Sequence, residues 1–510
     1  MIAGKKLIAA LVLTGVAAAA EEDPRQVSAV PIPDGQIAMA VAEVDALVED
    51  AMARTSVPGI AVAVVSSGDV VLAKGYGVRE IGEPEPVDAD TVFQLASVSK
   101  AVGATVVAHQ VSEGTVAWDT PVTDHLDWFA LSDPRATEML TIGDLYSHRS
   151  GLPDHAGDLL EDLGYGRREV LERLRYVPLD GFRDHYAYTN FGLTAAAEAV
   201  AAATDSDWET LSDTAVYRPL GMDSTSSRFA DFIRRENRAV PHMREGSGWA
   251  SLEQREPDAQ TPAGGVSSSA RDMAKWMLMV LAEGGDVAKP DALLAATSPH
   301  SVSSPPPTPG TRTGFYGYGF NVGVSPSGRV TFSHSGAFNL GAATSFYIIP
   351  SADVGILVLS NAQPVGVVEA IGLSFADLAQ FGQVTRDWLG LIQPVMEAML
   401  APVGELANRT PPANPAPARE LASYAGDYSN NYFGLARVDV EGDGLVLRVG
   451  PEDMTFALEH WSDDVFAFVP RGENAPVGSR AEVAFQMGPS VAEAMTVDIW
   501  NEFGLGTFTR

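Results

Sequence analysis

Apolar positions recur at two different periods along this chain, and the changes of period divide it. From Ala38 to Met52 they return at helical spacing, with Ala40, Val44, Leu47 and Ala51 on one side. Two β-rich runs follow, Ile60 to Ser66 and Val70 to Gly75, joined at Ser67-Gly68-Asp69, a hairpin signal. The stretch Ala101 to Glu113 predicts a helix. Val102, Val106, Val107 and Val111 return at helical spacing, and Gly114 stands where a helix stops. Residues 115–275 read as mainly helical with long loops, with helical composition at Glu169–Leu174 and Thr194–Ala203. Another helix follows at Ala270–Glu283. Its Met273, Trp276, Met277 and Val280 share a face and read as core. Strand character returns at Phe320–Val324, Arg329–Ser333, Ala343–Ile349 and Val354–Leu359, with Pro350–Asp353 as a turn. Helical spacing resumes from Gly366 to Leu400.

A hairpin early, several strands late and helices between them predict a mixed α and β domain over residues 38–400. Its antiparallel sheet is built from both ends of the segment, flanked by helices, with a helical region inserted. Residues 401–419 form a proline-rich linker, centred on Thr410-Pro411-Pro412-Ala413-Asn414-Pro415-Ala416-Pro417. Beyond it, short strands at regular spacing predict a separate small all-β barrel or sandwich over 420–510. They are read at Arg437–Val440, Leu445–Val449, Thr455–Leu458, Val465–Val469, Val483–Met487, Ala494–Trp500 and Thr507–Arg510. Residues 21–37 read as a flexible lead.

Composition narrows the classes of function. The net charge of −32 argues against nucleic acid or an acidic membrane as partner. There is no cysteine, hence no disulfide, no thiolate metal site and no cysteine nucleophile. At the N-terminus Lys5 and Lys6 precede an apolar run from Leu7 to Val16 and then Ala17 to Ala20. That is the pattern of a secretory signal peptide over residues 1–20, which predicts export to the periplasm or beyond and no stable membrane insertion after cleavage.

The candidate chemistry centres on Ser97 and Lys100, three positions apart at the start of the predicted helix. Positions i and i+3 share a helix face. A serine hydroxyl needs a base within reach to take its proton. An amine serves if burial lowers its pKa, and Val98, Ala101, Val102 and Ala104 make the surroundings apolar. Lys100 is the one lysine of the chain with a serine three positions before it. Backbone N–H groups at a helix start can meet developing negative charge.

Two later stretches can complete an acyl-transfer site. Tyr188-Thr189-Asn190 lies in a polar loop just before a helix: the tyrosine can shuttle a proton if positive neighbours hold down its pKa, and the asparagine can offer its amide to a substrate carbonyl. His334-Ser335-Gly336 follows the strand ending at Ser333. The glycine lets a substrate backbone lie close, and the N–H of Ala337 can complete an oxyanion hole with that of Ser97. Both patterns recur, as Tyr428-Ser429-Asn430 in the C-terminal β-region and His155-Ala156-Gly157 in a turn-rich loop. No Gly-x-Ser-x-Gly elbow and no His-Glu-x-x-His is present, which disfavours an α/β-hydrolase and a zinc protease.

With these motifs in this order, the chain resembles the serine β-lactamase and penicillin-binding-protein superfamily over about residues 38–395. The nearer likeness is to its class C-type branch with the related esterases, D-aminopeptidases and D,D-peptidases. Gly75-Tyr76-Gly77, His148-x-Ser150-Gly151-Leu152-Pro153, Pro262-Ala263-Gly264-Gly265, Tyr318-Gly319 and Ser360-Asn361 add to the likeness. The resemblance implies Ser97 as acylated nucleophile, Lys100 as its base partner, Tyr188 as proton relay, Asn190 as substrate contact, and His334 and Gly336 beside the site. It implies no cofactor and no metal, and a lipocalin-like C-terminal barrel. Typical β-lactamases place a lysine where His334 stands. A mostly neutral histidine there shifts the expectation from β-lactams toward esters or peptide amides. The expected function is a secreted serine hydrolase acting on a small-molecule or peptide substrate. The alternatives are a β-lactamase or D,D-carboxypeptidase, or a penicillin-binding sensor that does not turn over. Whether the barrel covers the site, binds a partner or builds a homo-oligomer is left open by the sequence.

Overall fold

The computed structural model describes residues 28–246 and 248–510. The predicted signal peptide and the start of the lead lie outside them. The central sheet has eight antiparallel strands in the order Asp69–Gly77, Gly59–Ser66, Val354–Ser360, Ala342–Ile349, Val330–Phe338, Asn321–Val324, Gly314–Tyr316, Ser301–Ser304. The early hairpin pairs with the last strand of the segment, from Ile60↔Ser360 to Ser66↔Val354. The two ends of the domain thus meet in one sheet, as the pattern predicts.

Gly59–Ser66 is buried along its whole length because both faces of the sheet are covered. Ala61, Ala63 and Val65 enter the core shared with the helix Ser99–Glu113. Ile60, Val62 and Val64 enter a second core with Val44, Val48, Ile371 and Phe375. Alternate side chains feed opposite layers, the period of two expected of a strand.

Several expectations are corrected. The helix read over Ala38–Met52 is two helices, Gln36–Ala42 and Val44–Thr55, with a bend at Glu43 that lets Ala40 and Val44 both reach the core. The run from Gly366 to Leu400 is also two, Val367–Phe381 and Trp388–Met399, parted at the left-handed Gly382. The described end of the lead is tied down: Ser28 Oγ donates to Ser327 O at 2.6 Å, and Arg329 Nη2 donates to Val30 O at 2.7 Å.

The C-terminal region is a closed barrel of eight strands, from Gly426–Asn430 to Thr507–Thr509, sealed where Ser429 pairs with Thr509. Its first strand escapes the hydrophobic pattern because Gly-Asp-Tyr-Ser-Asn turns only Tyr428 fully inward. The strand read as Ala494–Trp500 ends at Val497. Tyr424, Tyr428, Phe433, Phe466 and Phe508 fill the barrel with rings. The linker packs against it: Val403 N–H donates to Ser479 Oγ at 3.0 Å and Asp463 N–H to Ala416 O at 2.8 Å. Among the described residues no helix is long and apolar enough to cross a membrane.

The barrel docks on the inserted helical region. Tyr165 OH donates to Phe433 O at 2.7 Å, Gly157 N–H to Tyr432 OH at 3.0 Å, and Arg173 Nη1 to Tyr432 O at 2.9 Å.

Candidate active site

The short strand Val92–Gln94 delivers the chain to Ala96, whose φ of 46° is left-handed. An alanine there carries a strain of about 1–3 kcal/mol, held by the structure around it. Ala96 is packed against Phe338 and Ala342. A single tight turn, Ala96–Val98, then lifts Ser97 ahead of the helix that starts at Ser99.

Lys100 sits in the first turn of that helix, fully buried. Its Nζ donates to Ser97 Oγ at 3.1 Å, Asn190 Oδ1 at 2.7 Å and Ala263 O at 2.9 Å. Burial pushes the amine down to about 7. Asp158 pulls the other way and Arg255 assists, but desolvation outweighs both. The sequence reading expected apolar neighbours to depress this lysine; here full burial depresses it among polar partners.

Asn190 is the first residue of the helix Asn190–Ala203, not part of the loop before it. Its amide orientation follows from its partners. A carboxylate can only accept, so Nδ2 donates to Asp158 Oδ2 at 2.8 Å, which leaves Oδ1 facing Lys100. The amide holds Asp158 one side chain away from the amine. A direct ion pair would favour the ammonium form more strongly.

Tyr188 OH donates to Ser97 Oγ at 2.7 Å, and Lys100 Nζ lies 4.6 Å from the centre of its ring. Its backbone is clamped by the loop before it. His148 O accepts from Ala187 N–H at 2.8 Å, His148 Nδ1 from Thr189 N–H at 3.1 Å, and Tyr188 O from His155 N–H at 2.8 Å. The reading made Tyr188 a proton shuttle on condition that positive neighbours hold down its pKa. Burial raises it and outweighs the downward pull of Arg255, so the side chain stands as a neutral phenol.

His334 and Gly336 also differ from expectation. They lie inside the strand Val330–Phe338, not after it. Buried His334 takes Tyr316 OH at 2.8 Å on Nε2 and has Ser335 O 2.7 Å from Nδ1. A carbonyl can only accept, so Nδ1 carries the proton and the ring is neutral; burial pushes its pKa down to about 3. No cation is offered at this position. Gly336 admits protein backbone as the reading supposed it would admit substrate. A Cβ here would stand 2.4 Å from Leu95 O and 2.8 Å from Ser97 N. The strand therefore presses on the nucleophile's own turn. Ala337, next along the strand, pairs with Ala343 and is exposed.

Sequence reasoning missed Asp158, Ala263 O, Tyr316 and Arg255, and it set aside His155 for its loop position. His155 Nδ1 lies 2.9 Å from Asp158 Oδ2 and its ring 5.7 Å from that of Tyr188. No spacing rule joins residues 155, 158, 190 and 255. The one available signal was that His148 and Ala263 fall in stretches already singled out. Among the described residues no group of three or more acidic or histidine side chains is arranged to hold a metal ion.

A serine hydroxyl bonded by a buried amine and a neutral phenol, set between an antiparallel sheet and a helical insert, defines a serine hydrolase of the β-lactamase fold. The model of the family described as Beta-lactamase matches residues 44–379, well over half of the chain, and the chain belongs to that family. A second model, a domain of unknown function, matches residues 410–503. An unguisins hydrolase of Aspergillus campestris is 27% identical over 76% of this chain and 74% of its own. The esterase EstB of Burkholderia gladioli is 26% identical over 66% of this chain and 94% of its own. The octameric penicillin-binding protein homologue from Pyrococcus abyssi superposes with a TM-score of 0.60 at 20% identity, covering 92% of this chain and 100% of its own. That last likeness carries the fold.

Proposed function

We propose that this protein is an exported hydrolase that cleaves an ester or peptide amide bond through an acyl-enzyme on Ser97. The observation that carries this reading is the convergence of Lys100 Nζ and Tyr188 OH on one hydroxyl, at 3.1 and 2.7 Å. Neutral Lys100 takes the Ser97 proton as Oγ attacks the carbonyl carbon. The N–H groups of Ser97 and Ala337 receive the oxyanion. Tyr188 gives its phenolic proton to the leaving alcohol or amine and is recharged from the Lys100 ammonium. Water, deprotonated by the same pair, then releases the acid and restores the serine. Asn190 keeps Lys100 placed and contacts the substrate.

The neutral, fully engaged His334 supports esters or amides over β-lactams, since no charge stands there to hold a substrate carboxylate. The signal-like residues 1–20 support export. The test is mass mapping after a serine-directed phosphonate, beside turnover of p-nitrophenyl esters, D-amino-acid amides and a chromogenic cephalosporin. Adduct on Ser97 with ester or amide turnover is the expected result. Adduct elsewhere refutes the reading, and stable Ser97 labelling without turnover of any substrate turns it into a penicillin-binding sensor.

A further inference from the structure

One buried side chain of the barrel is tied to the turn that ends the strand Val330–Phe338. Glu473 sits in the loop between the barrel strands Val465–Phe468 and Ala481–Met487, and it is almost fully buried. Its carboxylate accepts the N–H of Asn339 at 2.7 Å and of Leu340 at 3.3 Å, and it pairs with Arg255 Nη1 at 3.2 Å. In return Asn339 Nδ2 donates to Glu473 O at 3.0 Å. Asn339 and Leu340 form the turn between the strands Val330–Phe338 and Ala342–Ile349.

The loop is itself held from the hydrolase side. Asp162 accepts from Glu473 N–H at 3.0 Å, Asn474 N–H at 2.9 Å and Asn474 Nδ2 at 2.9 Å. Gly472 makes this approach feasible: its φ is 107°, and a Cβ there would fall 2.8 Å from the Asp162 carboxyl carbon.

The turn held by Glu473 ends the strand that presses on the nucleophile. Phe338 packs on strained Ala96, the residue before Ser97, and the Arg255 guanidinium lies 4.5 Å over the Phe338 ring. Thr344 on the neighbouring strand donates to Leu95 O at 2.6 Å. The far end of the strand and its neighbour thus bear on Ala96 and Leu95, the two residues that lead into Ser97. Glu473 touches none of the proposed reacting atoms.

We infer that Glu473 is a positioning residue supplied by the barrel: it fixes the Phe338–Gly341 turn, and through it the spacing between the Ser97 turn and the strand bearing Ala337. This rests on the acyl-enzyme reading. The barrel is then part of the hydrolase and not an appended module. An oxyanion site needs its donors placed to a fraction of an ångström, and a displacement of about 1 Å costs on the order of a hundredfold.

The test compares the full-length protein with Glu473→Ala, Glu473→Gln and the exposed barrel control Glu459→Gln. Each is assayed for ester kcat and KM, for the rate of Ser97 labelling by phosphonate, and for thermal unfolding. Expected for Glu473→Ala is a fall in kcat and labelling rate of about tenfold to a hundredfold, with KM changed less than about twofold. Glu473→Gln, which keeps an acceptor oxygen for the turn, recovers most of the rate, and Glu459→Gln matches the unchanged protein. Folded Glu473→Ala with an unchanged labelling rate overturns the inference. So does a loss in the Gln variant equal to that in the Ala variant and matched only by lost folded protein. If Glu473→Ala does not fold, Glu473→Gln decides: near-normal kcat in a folded protein supports the role, and a deep loss of kcat overturns it. Absence of phosphonate on Ser97 in the unchanged protein refutes the acyl-enzyme reading itself.

Discussion

The pattern Tyr-x-Asn occurs twice in this molecule, with two unlike results. In the hydrolase domain Tyr188 OH points to Ser97 Oγ, and Asn190 stands between Lys100 and Asp158. In the barrel Tyr428 OH donates to the backbone of Tyr424 at 2.6 Å. Asn430 stitches loops there, donating to Leu505 O at 2.9 Å and accepting from Phe433 N–H at 2.6 Å. Both tyrosines are buried and both phenols are held neutral by burial. What separates them is the partner. One phenol meets a hydroxyl that can exchange protons; the other meets a carbonyl that can only accept. The same triplet thus yields a proton path in one place and a staple in the other.

The comparison breaks most sharply at Ser97. Ser97→Ala is expected to lower turnover of an activated short-chain ester by at least about 10³-fold while the thermal transition stays in place. Next, Tyr188→Phe should lower kcat by about a hundredfold, whereas Tyr428→Phe leaves kcat unchanged; steady-state kinetics of the two purified variants decide this. Equal effects would show that the two triplets do not differ as the structure has them.

A third expectation concerns pH. With Lys100 pushed down to about 7, kcat/KM should rise through neutral pH as the amine loses its proton, and fall about tenfold per unit below it. Asp158 raises the Lys100 pKa, so Asp158→Asn should move this limb toward acid, and a pH–rate profile of both proteins reads the sign. The smallest expected effect is on the barrel staple: Tyr428→Phe should cost about 1 kcal/mol in urea unfolding through the lost hydrogen bond and the orphaned Tyr424 carbonyl.

Much of the fold was legible because both sheet regions bury alternate or continuous apolar runs, which leave a period in the chain. Gly59–Ser66 and Val354–Ser360 were read nearly to the residue. Gly426–Asn430 was not, because its fit comes from barrel closure and not from its own side chains. The bend at Glu43 was equally hidden, since it serves a core that joins nearby Val57 and Ile60 to Ile371 and Phe375, more than three hundred positions away.

At the site, Ser97 and Lys100 could be paired from sequence because one helical turn joins them. Tyr188, Asn190 and His334 could be named from family-like motifs, and a mostly neutral histidine was expected, but the burial that holds the Tyr188 phenol neutral was not legible. The neutral phenol, the amine near 7 and the uncharged imidazole all follow from burial, which depends on what packs around each group. Local order therefore determined which reactive groups this chain carries and the turn into the helix that sets two of them side by side. Tertiary structure alone decided their charges, the amide between Lys100 and Asp158, and the reach of Glu473 from the barrel. Desolvation and hydrogen bonding act through space, and no spacing along a chain records them.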